Sequence, residues 1–212
     1  MVDLAGTSAL LEYFVRGGSW MWALLACSVI ALAVIILKAV TLVTAGRGAH
    51  VLVEEVVGLV EEGERQEAAQ RCERSPAAVA AVLGAILHAA GNRRETPMQA
   101  AEAAGAAELA SLESGLPVLS TVANIAPLIG FLGTVSGMIR AFTAIAAHGL
   151  GEPGVVAAGI GEALITTASG LIVAIPCFIA YGALVSRVNG LALGIEIAGT
   201  RVASLVSRED GS

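Results

Sequence analysis

The sequence has little charge. Only 14% of its 212 residues are Asp, Glu, Lys or Arg, whereas 56% are hydrophobic and the mean hydropathy is +0.81. A soluble domain has no need of so apolar a chain, and this composition is typical of a membrane protein. The net charge of −6 comes mostly from residues 44–115, which contain eleven glutamates and six arginines. It therefore gives no indication of a nucleic-acid partner.

Several kinds of functional residue are also missing. Only three cysteines are present, Cys27, Cys72 and Cys177, and their spacing matches no metal site or redox motif. We expect them to be packing residues without a disulfide. The sequence contains no glycine-rich phosphate loop, no paired histidine ligands and no nucleophile beside a base. These absences argue against an enzyme and against a metal or organic cofactor.

Three runs of the sequence are almost free of charge and long enough to cross the ~30 Å hydrocarbon core of a membrane, which needs ~20 helical residues. We predict an all-α protein in which each run is a transmembrane helix. The first run is too long for a cleaved signal peptide, so we expect it to be retained as an anchor. The runs cover residues 19–43, 116–147 and 154–186, and each contains one charged residue, Lys38, Arg140 and Glu162 respectively.

The arginines outside these runs predict the orientation of the chain. Residues 44–115 contain six and the tail, residues 187–212, contains three, whereas the N-terminal arm, residues 1–18, contains one and the loop at residues 148–153 contains none. Cytoplasmic loops carry the excess of positive charge. We therefore expect the large loop and the tail in the cytoplasm, and the arm and the short loop on the outer side.

The cytoplasmic segment is predicted to be helical. Apolar residues recur at helical spacing from Val51, and Gly63 and then Ser75–Pro76 interrupt the pattern. A second helix is expected from Ala77 to the break at residues 91–92. A third should begin at Pro97, because proline favours the first helical position. We expect this third helix to continue without interruption into the second membrane run, bent at Pro117 or Pro127.

The second run contains small and polar residues that a lipid-facing helix does not need. Gly130 and Thr134 are four residues apart, as are Gly133 and Gly137, and this spacing allows membrane helices to approach closely. The third run has a similar character. We therefore expect both helices to pack against protein, and the first run, which is richer in large apolar residues, to face lipid.

The third run places polar residues on two faces of its helix. Glu162, Thr166 and Ser169 form one stripe, and Thr167 lies ~140° from Glu162. A charge left in lipid costs at least ~2.5 kcal/mol, so Glu162 is expected to face a bundle interior or water. Simpler interpretations remain: Glu162 at the headgroup level, hydroxyls bonded to their own helix, and Arg140 and Lys38 extended to the membrane surface.

Two stretches, APLIGFLGTVSGMIRAF at residues 126–142 and GIGEALITTASGLIVAIP at residues 159–176, resemble the MotA/TolQ/ExbB proton-channel family, with the ExbB branch most similar. The resemblance implies a three-span subunit of the bacterial inner membrane, with its N-terminus in the periplasm. Such subunits form a homopentamer whose pore holds a dimer of a single-span ExbD/TolR-type partner. That partner carries the titrating carboxylate. No cofactor is implied, and either proton or sodium fits as the coupling ion.

Carried over by position, the resemblance assigns Thr134, Glu162 and Thr167 to the ion pathway. It leaves open whether Thr166 or Thr167 shares the pore face with Glu162, and it implies that another subunit or the partner helix lies beside Thr167. Ser136 and Arg140 depart from the family pattern. Five Arg140 side chains at the outer pore mouth would repel cations unless they met carboxylates or bound the partner.

We therefore predict a pentameric subunit of a proton-motive-force motor that works with a TonB-like or TolA-like periplasm-spanning protein. Energising TonB-dependent outer-membrane transport is the first interpretation, and a TolQ-like envelope-maintenance motor or a gliding-motility motor is the alternative. A purely structural scaffold would tolerate Thr134→Val and Glu162→Gln. Three runs without internal symmetry disfavour a secondary transporter.

Overall fold

The computed structural model describes residues 12–90, 96–149 and 153–209. All regular structure in these ranges is helical, which confirms the predicted all-α class. A helical turn at residues 12–16 comes first. The helices that follow are α1 (Trp20–Gly46), α2 (Ala49–Glu61), α3 (Arg65–Glu73), α4 (Ala78–Ala89), α5 (Pro97–Glu113), α6 (Leu116–His148) and α7 (Pro153–Glu209).

Three helical stretches are long and apolar enough to cross a membrane. They are Trp20–Glu61, Pro97–Ala147 and Pro153–Arg208. Each covers one of the predicted runs, apart from Ser19 of the first, so the three membrane helices are confirmed. The ends of the membrane segments and their orientation stay predictions. Most of the arm, half of the loop at residues 148–153, the break at residues 91–92 and the last three residues lie outside the described ranges.

The contacts divide the chain into two units. The first unit combines Met1–Ile35 with Pro117–Tyr181, and the second combines Ile36–Leu116 with Gly182–Ser212. Helices α1 and α7 each contribute residues to both units. We describe each unit by itself.

Small residues bring α6 and α7 close together in the first unit. A Cβ atom at Gly137 would lie 2.6 Å from the carbonyl oxygen of Gly159, and one at Gly170 would lie 2.6 Å from the carbonyl oxygen of Ala126. Side chains at these positions would force the backbones apart. The expectation that these helices pack against protein is met by their contact with each other.

Helix α1 packs on the other two helices of the first unit through one face. Met21 and Leu24 contact a core that includes Ala126 of α6 and Ala174 of α7. Other positions of α1 expose large apolar side chains, such as Trp22 at 67% and Val29 at 60%, as expected for a helix that faces lipid. Helices α6 and α7 also leave apolar faces uncovered by the chain, since Phe131 and Ile172 are 65% and 70% exposed.

The second unit has a core of its own around α4. Side chains of α2, α4 and α7 are almost completely buried there, and an added Cβ at Gly199 of α7 would lie 3.4 Å from Val82 of α4. An ion pair at 2.6 Å between Arg201 of α7 and Glu54 of α2 also joins these two helices. The most deeply buried apolar residues of this unit include Val56, Val60, Val82, Leu83, Ile86, Val202 and Val206.

Local signals predicted the start of α5 in the second unit, but they missed one helix. Helix α5 begins with Pro97 and a capping box in which Thr96 and Gln99 bond each other's backbone, as proline at the first helical position indicated. Helix α3 was not predicted. Its sequence is polar and buries only Ala68 and Cys72, so it has no apolar periodicity to detect.

The prediction of one unbroken helix from Pro97 through the second membrane run was wrong. Helix α5 ends at Glu113, and Gly115 has a φ of 80°, a left-handed conformation that glycine adopts without strain. Helix α6 then begins at Leu116, and Pro117 lies in its first turn, where proline is tolerated. Pro127 lies inside α6.

Lys38 explains why the helix can stop at this point. Its ammonium group donates to the carbonyl oxygens of Ser111 at 3.1 Å and Leu112 at 3.3 Å, and to the hydroxyl of Ser114 at 2.9 Å. The last carbonyl groups of a helix have no partner inside it. A positive donor satisfies them and is favoured by the helix dipole. Lys38 therefore caps α5 instead of extending freely to the membrane surface.

Candidate functional site

The hydroxyl groups of α7 bond to their own helix. Thr166 donates to the carbonyl oxygen of Glu162 at 2.8 Å, Thr167 to that of Ala163 at 3.2 Å, and Ser169 to that of Ile165 at 2.8 Å. Such bonds to the preceding turn allow hydroxyl groups to lie in an apolar helix. These bonds are the ones that the simpler interpretation expected, and whether any of these hydroxyl groups also borders an ion route stays a prediction. Thr166 and Thr167 each have a second acceptor as well.

Thr166 is completely buried between α7, α6 and the turn before α1. Its hydroxyl lies 2.8 Å from the carbonyl oxygen of Gly17 as well as from that of Glu162. Its methyl group occupies the space beside Gly133, where a side chain would overlap with it. Thr166 therefore fixes the Gly17–Gly18 turn to α7.

Thr167 lies on the face of α7 that contacts α6. Its hydroxyl donates to the carbonyl oxygen of Gly130 at 3.1 Å, and an added Cβ at Gly130 would lie 3.2 Å from the Cα of Thr167. The resemblance had implied a neighbour from another subunit or from the partner. In the structure, α6 of the same chain supplies that neighbour.

Glu162 forms an ion pair with Arg140 across the contact of α6 and α7. The side chain of Glu162 is 13% exposed and that of Arg140 is 52% exposed. Arg140 also donates to the hydroxyl of Ser136 at 3.0 Å, one turn earlier in α6. The guanidinium group that departs from the family pattern thus meets a carboxylate within its own subunit.

The Gly17–Gly18 turn covers the carboxylate of Glu162. Gly18 has a φ of 73°, and a Cβ atom at this position would overlap with the carboxylate. Only glycine combines this conformation with so close an approach. Gly17, Gly18 and Ser136 are therefore members of the site that the sequence did not identify.

These contacts settle which threonine lies beside Glu162 within the chain. Glu162 and Thr166 share the face of α7 that meets the Gly17–Gly18 turn, as helical periodicity predicted. Thr167 points to α6 instead. Which of these faces borders a pore stays a prediction.

Thr134 lies apart from this cluster. It is half-buried, and its hydroxyl donates to the carbonyl oxygen of Phe131 at 2.6 Å. It stands at one end of an open apolar groove of about 650 Å³ on the surface of α6. We call this the α6 groove. Its lining residues are Thr134, Val135, Met138, Ile139, Phe142, Thr143 and Ala146.

The remaining candidate residues are structural in character. Cys27, Cys72 and Cys177 are free thiols, as expected. Burial raises the pKa of the Cys72 thiol to about 11, so it is protonated and inert at neutral pH. Within the described ranges, no group of three or more His, Cys, Asp or Glu residues could hold a metal ion.

Comparison with known proteins identifies the family of the chain. The sequence model of the MotA/TolQ/ExbB proton channel family matches residues 68–197. The chain belongs to this family. The match includes Thr134, Arg140, Glu162 and both threonines that follow Glu162. The resemblance found in the sequence is therefore confirmed.

Individual relatives come from two branches of the family. The Tol-Pal system protein TolQ of Haemophilus influenzae is 48% identical over 84 residues, which cover 40% of this chain and 37% of that protein. The biopolymer transport protein ExbB of Pseudomonas putida is 38% identical over 99 residues, which cover 47% of this chain and 30% of that protein. An ExbB-like biopolymer transport protein of Synechocystis sp. is 36% identical over 195 residues, which cover 86% of this chain and 73% of that protein. The matches to the first two relatives span about a third of their length.

Proposed function

We propose that the chain is an ExbB-type subunit of a proton-motive-force motor in the bacterial inner membrane. Five copies surround a dimer of an ExbD/TolR-type partner, and proton entry drives a TonB-like protein that energises transport across the outer membrane. The N-terminus lies in the periplasm and the C-terminus in the cytoplasm. Membership of the family supports this proposal, and the chain's own surface adds to it.

The observation that carries the proposal is the uncovered α6 groove with Thr134 at its end. Phe142 in this groove is 62% exposed, and the large apolar side chains around it are also exposed, so this face of α6 is left without a neighbour within the chain. Lipid alone does not require a hydroxyl group at such a position. A partner helix that carries a titrating carboxylate would gain from a hydroxyl group there, because a polar group in the membrane is stabilised by hydrogen-bonding neighbours.

The polar residues of the site have separate roles in this proposal. Thr134 and Thr167 solvate the route of the proton beside the carboxylate of the partner. Glu162 supports this route from the contact of α6 and α7, where it pairs with Arg140. Thr166 holds the helix that carries Glu162 against the Gly17–Gly18 turn. The hydroxyl and carboxylate groups suit a proton, and sodium is the other ion that they would accept.

A TolQ-like function in envelope maintenance is the second candidate, since the TolQ relative of Haemophilus influenzae matches at 48% identity. Deletion of the gene separates the two functions. An ExbB-type subunit is needed for TonB-dependent nutrient uptake, whereas a TolQ-type subunit is needed for resistance to detergent. Purification of the complex would also identify the periplasm-spanning protein that accompanies it.

The ion-pathway assignment is tested by Thr134→Ala in a deletion strain that carries the gene on a plasmid. We expect loss of energised uptake with the oligomer intact, as measured by size-exclusion chromatography of the purified complex. The matched control is Thr121→Ala, because Thr121 also lies in α6 and also donates only to the preceding turn, at 2.8 Å. Full uptake with Thr134→Ala and with Glu162→Gln would contradict the assignment and favour a structural scaffold.

A further inference from the structure

We propose that Arg140 and Glu162 act in this chain as one charge-compensated pair that holds α6 to α7, so that Glu162 positions the helix beside the ion route and does not itself carry the ion. The proposal rests on the proposed function and assigns to Arg140 a role as a positioning residue. It follows from the surroundings of the pair, from the charges nearby and from the face of α6 on which Arg140 lies.

The carboxylate of Glu162 is enclosed on several sides. Arg140 reaches it from α6 and is itself oriented by its bond to Ser136 at 3.0 Å. Gly18 covers the carboxylate from the turn before α1, and Thr166 fixes that turn one helical turn further along α7. At 13% exposure, the carboxylate has little room for a second ligand while Arg140 occupies it.

No other described charge in the first unit is available to either partner. The described residues of this unit contain two further charged side chains, Glu12 and Arg16, and these pair with each other at 2.6 Å. Removal of Arg140 would therefore leave Glu162, whose side chain is 13% exposed, as an unpaired charge in an apolar helix bundle, whereas removal of Glu162 would leave Arg140, which is 52% exposed, with its bond to Ser136. Leaving a largely buried charge such as Glu162 without its partner is much more harmful than replacing both partners with neutral groups.

The pair and the α6 groove lie on different faces of α6. At 100° per residue, Arg140 is about 150° around the helix from the centre of the groove. An ion that moves along the groove past Thr134 does not pass the guanidinium group or the carboxylate. This separation explains how a membrane helix can carry an arginine beside a cation route without blocking it.

A double-mutant cycle tests this role in the full-length protein. The variants are Arg140→Gln, Glu162→Gln and the double variant, measured for apparent melting temperature in detergent and for TonB-dependent uptake in the deletion strain. We expect Arg140→Gln to melt about 4 °C or more below the wild type, and each single variant to lose uptake at least about tenfold. The double variant should return to within about twofold of wild-type uptake. Arg140→Lys, which keeps the positive charge, should retain roughly half of the wild-type uptake.

The matched control is the same cycle on Glu12 and Arg16, an exposed pair of the same unit. The side chains of Glu12 and Arg16 are 63% and 65% exposed. We therefore expect the melting temperature to shift by less than about 2 °C in every variant of this cycle. A charge effect that is general to the unit would appear in both cycles. Only the Arg140 and Glu162 cycle should show coupling.

Two results would overturn the proposal. Wild-type melting in Arg140→Gln would show that the pair holds nothing together. A double variant that melts normally yet is as inactive as Glu162→Gln would show that Glu162 itself handles the ion. If deletion of the gene affects neither uptake nor detergent resistance, the proposed function fails instead, and the melting cycle still decides whether the pair joins α6 to α7.

Discussion

Gly170→Ala should separate two helices that now touch through their backbones. The new Cβ would lie 2.6 Å from the carbonyl oxygen of Ala126 and 3.1 Å from the Cα of Gly130. Both contacts are with backbone atoms of α6, so no flexible side chain can move aside. Ordinary contacts of a Cβ begin near 3.4 Å, and the helices must therefore part by close to 1 Å at this point.

The net effect of Gly170→Ala on the free energy of unfolding is the difference between two opposing contributions. Alanine in place of glycine inside a helix stabilises the folded state by ~1 kcal/mol. Overpacking opposes this gain by typically ~1–3 kcal/mol, occasionally more. At Gly161 of the same helix, nothing lies within 4 Å of the added Cβ, so only the gain remains. Gly161→Ala is thus the matched control, and the two variants should differ by ~1–3 kcal/mol.

The assay is thermal unfolding of the full-length protein in detergent, followed by circular dichroism. For a chain of this size ~1 kcal/mol shifts the melting temperature by ~2–4 °C, so Gly170→Ala should melt roughly 2–12 °C below Gly161→Ala. Equal melting temperatures, or a more stable Gly170→Ala, would refute the close contact of α6 and α7. The same variant should also weaken energised uptake, because the helices that carry Thr134 and Thr167 would be displaced.

Three further predictions address other contacts. Gly18→Ala should lower the free energy of unfolding by ~1–3 kcal/mol more than Gly48→Ala, as measured by thermal unfolding. Both glycines have positive φ, at 73° and 70°, but only at Gly18 would the new Cβ overlap with the carboxylate of Glu162. Equal effects of the two substitutions would argue against the turn covering Glu162. Lys38→Met should lower stability by ~1–3 kcal/mol through loss of its bonds to α5, and retention of wild-type stability would contradict its capping role. In a variant that keeps Cys72 as its single cysteine, maleimide should label the folded protein at pH 7 about 100-fold more slowly than the unfolded protein, since burial raises the pKa of this thiol to about 11. Rapid labelling of the folded form would show that Cys72 is accessible.

Much of the fold could be predicted because membrane helices are specified locally. A run of apolar residues long enough to cross the hydrocarbon core has few alternatives to a helix, since every backbone group must be bonded within the segment. The helix start at Pro97 depends on side chains within three residues of it and was predicted for the same reason. Helix α3 lacked such a signal because it is polar and buries only Ala68 and Cys72.

The site was predicted in part. Periodicity placed Glu162 and Thr166 on one face of α7, and this follows from the geometry of a single helix. The meeting of Glu162 with Arg140 could not be derived in this way, because 22 residues separate them in the chain and the sequence does not specify how α6 is rotated against α7. The break at Gly115 depends on Lys38, which is 73 residues or more from the groups that it caps.

The sequence by itself determined three membrane helices, the helical character of the cytoplasmic segment and the polar stripe of α7, since each depends on residues within a few turns of one another. The tertiary structure alone decided which residues meet. It paired Arg140 with Glu162, enclosed Thr166 beneath the Gly17–Gly18 turn and ended α5 at the ammonium group of Lys38. The physical reason is that a helix fixes the angles of its side chains about its own axis, whereas the neighbour that each side chain reaches depends on how separate helices pack.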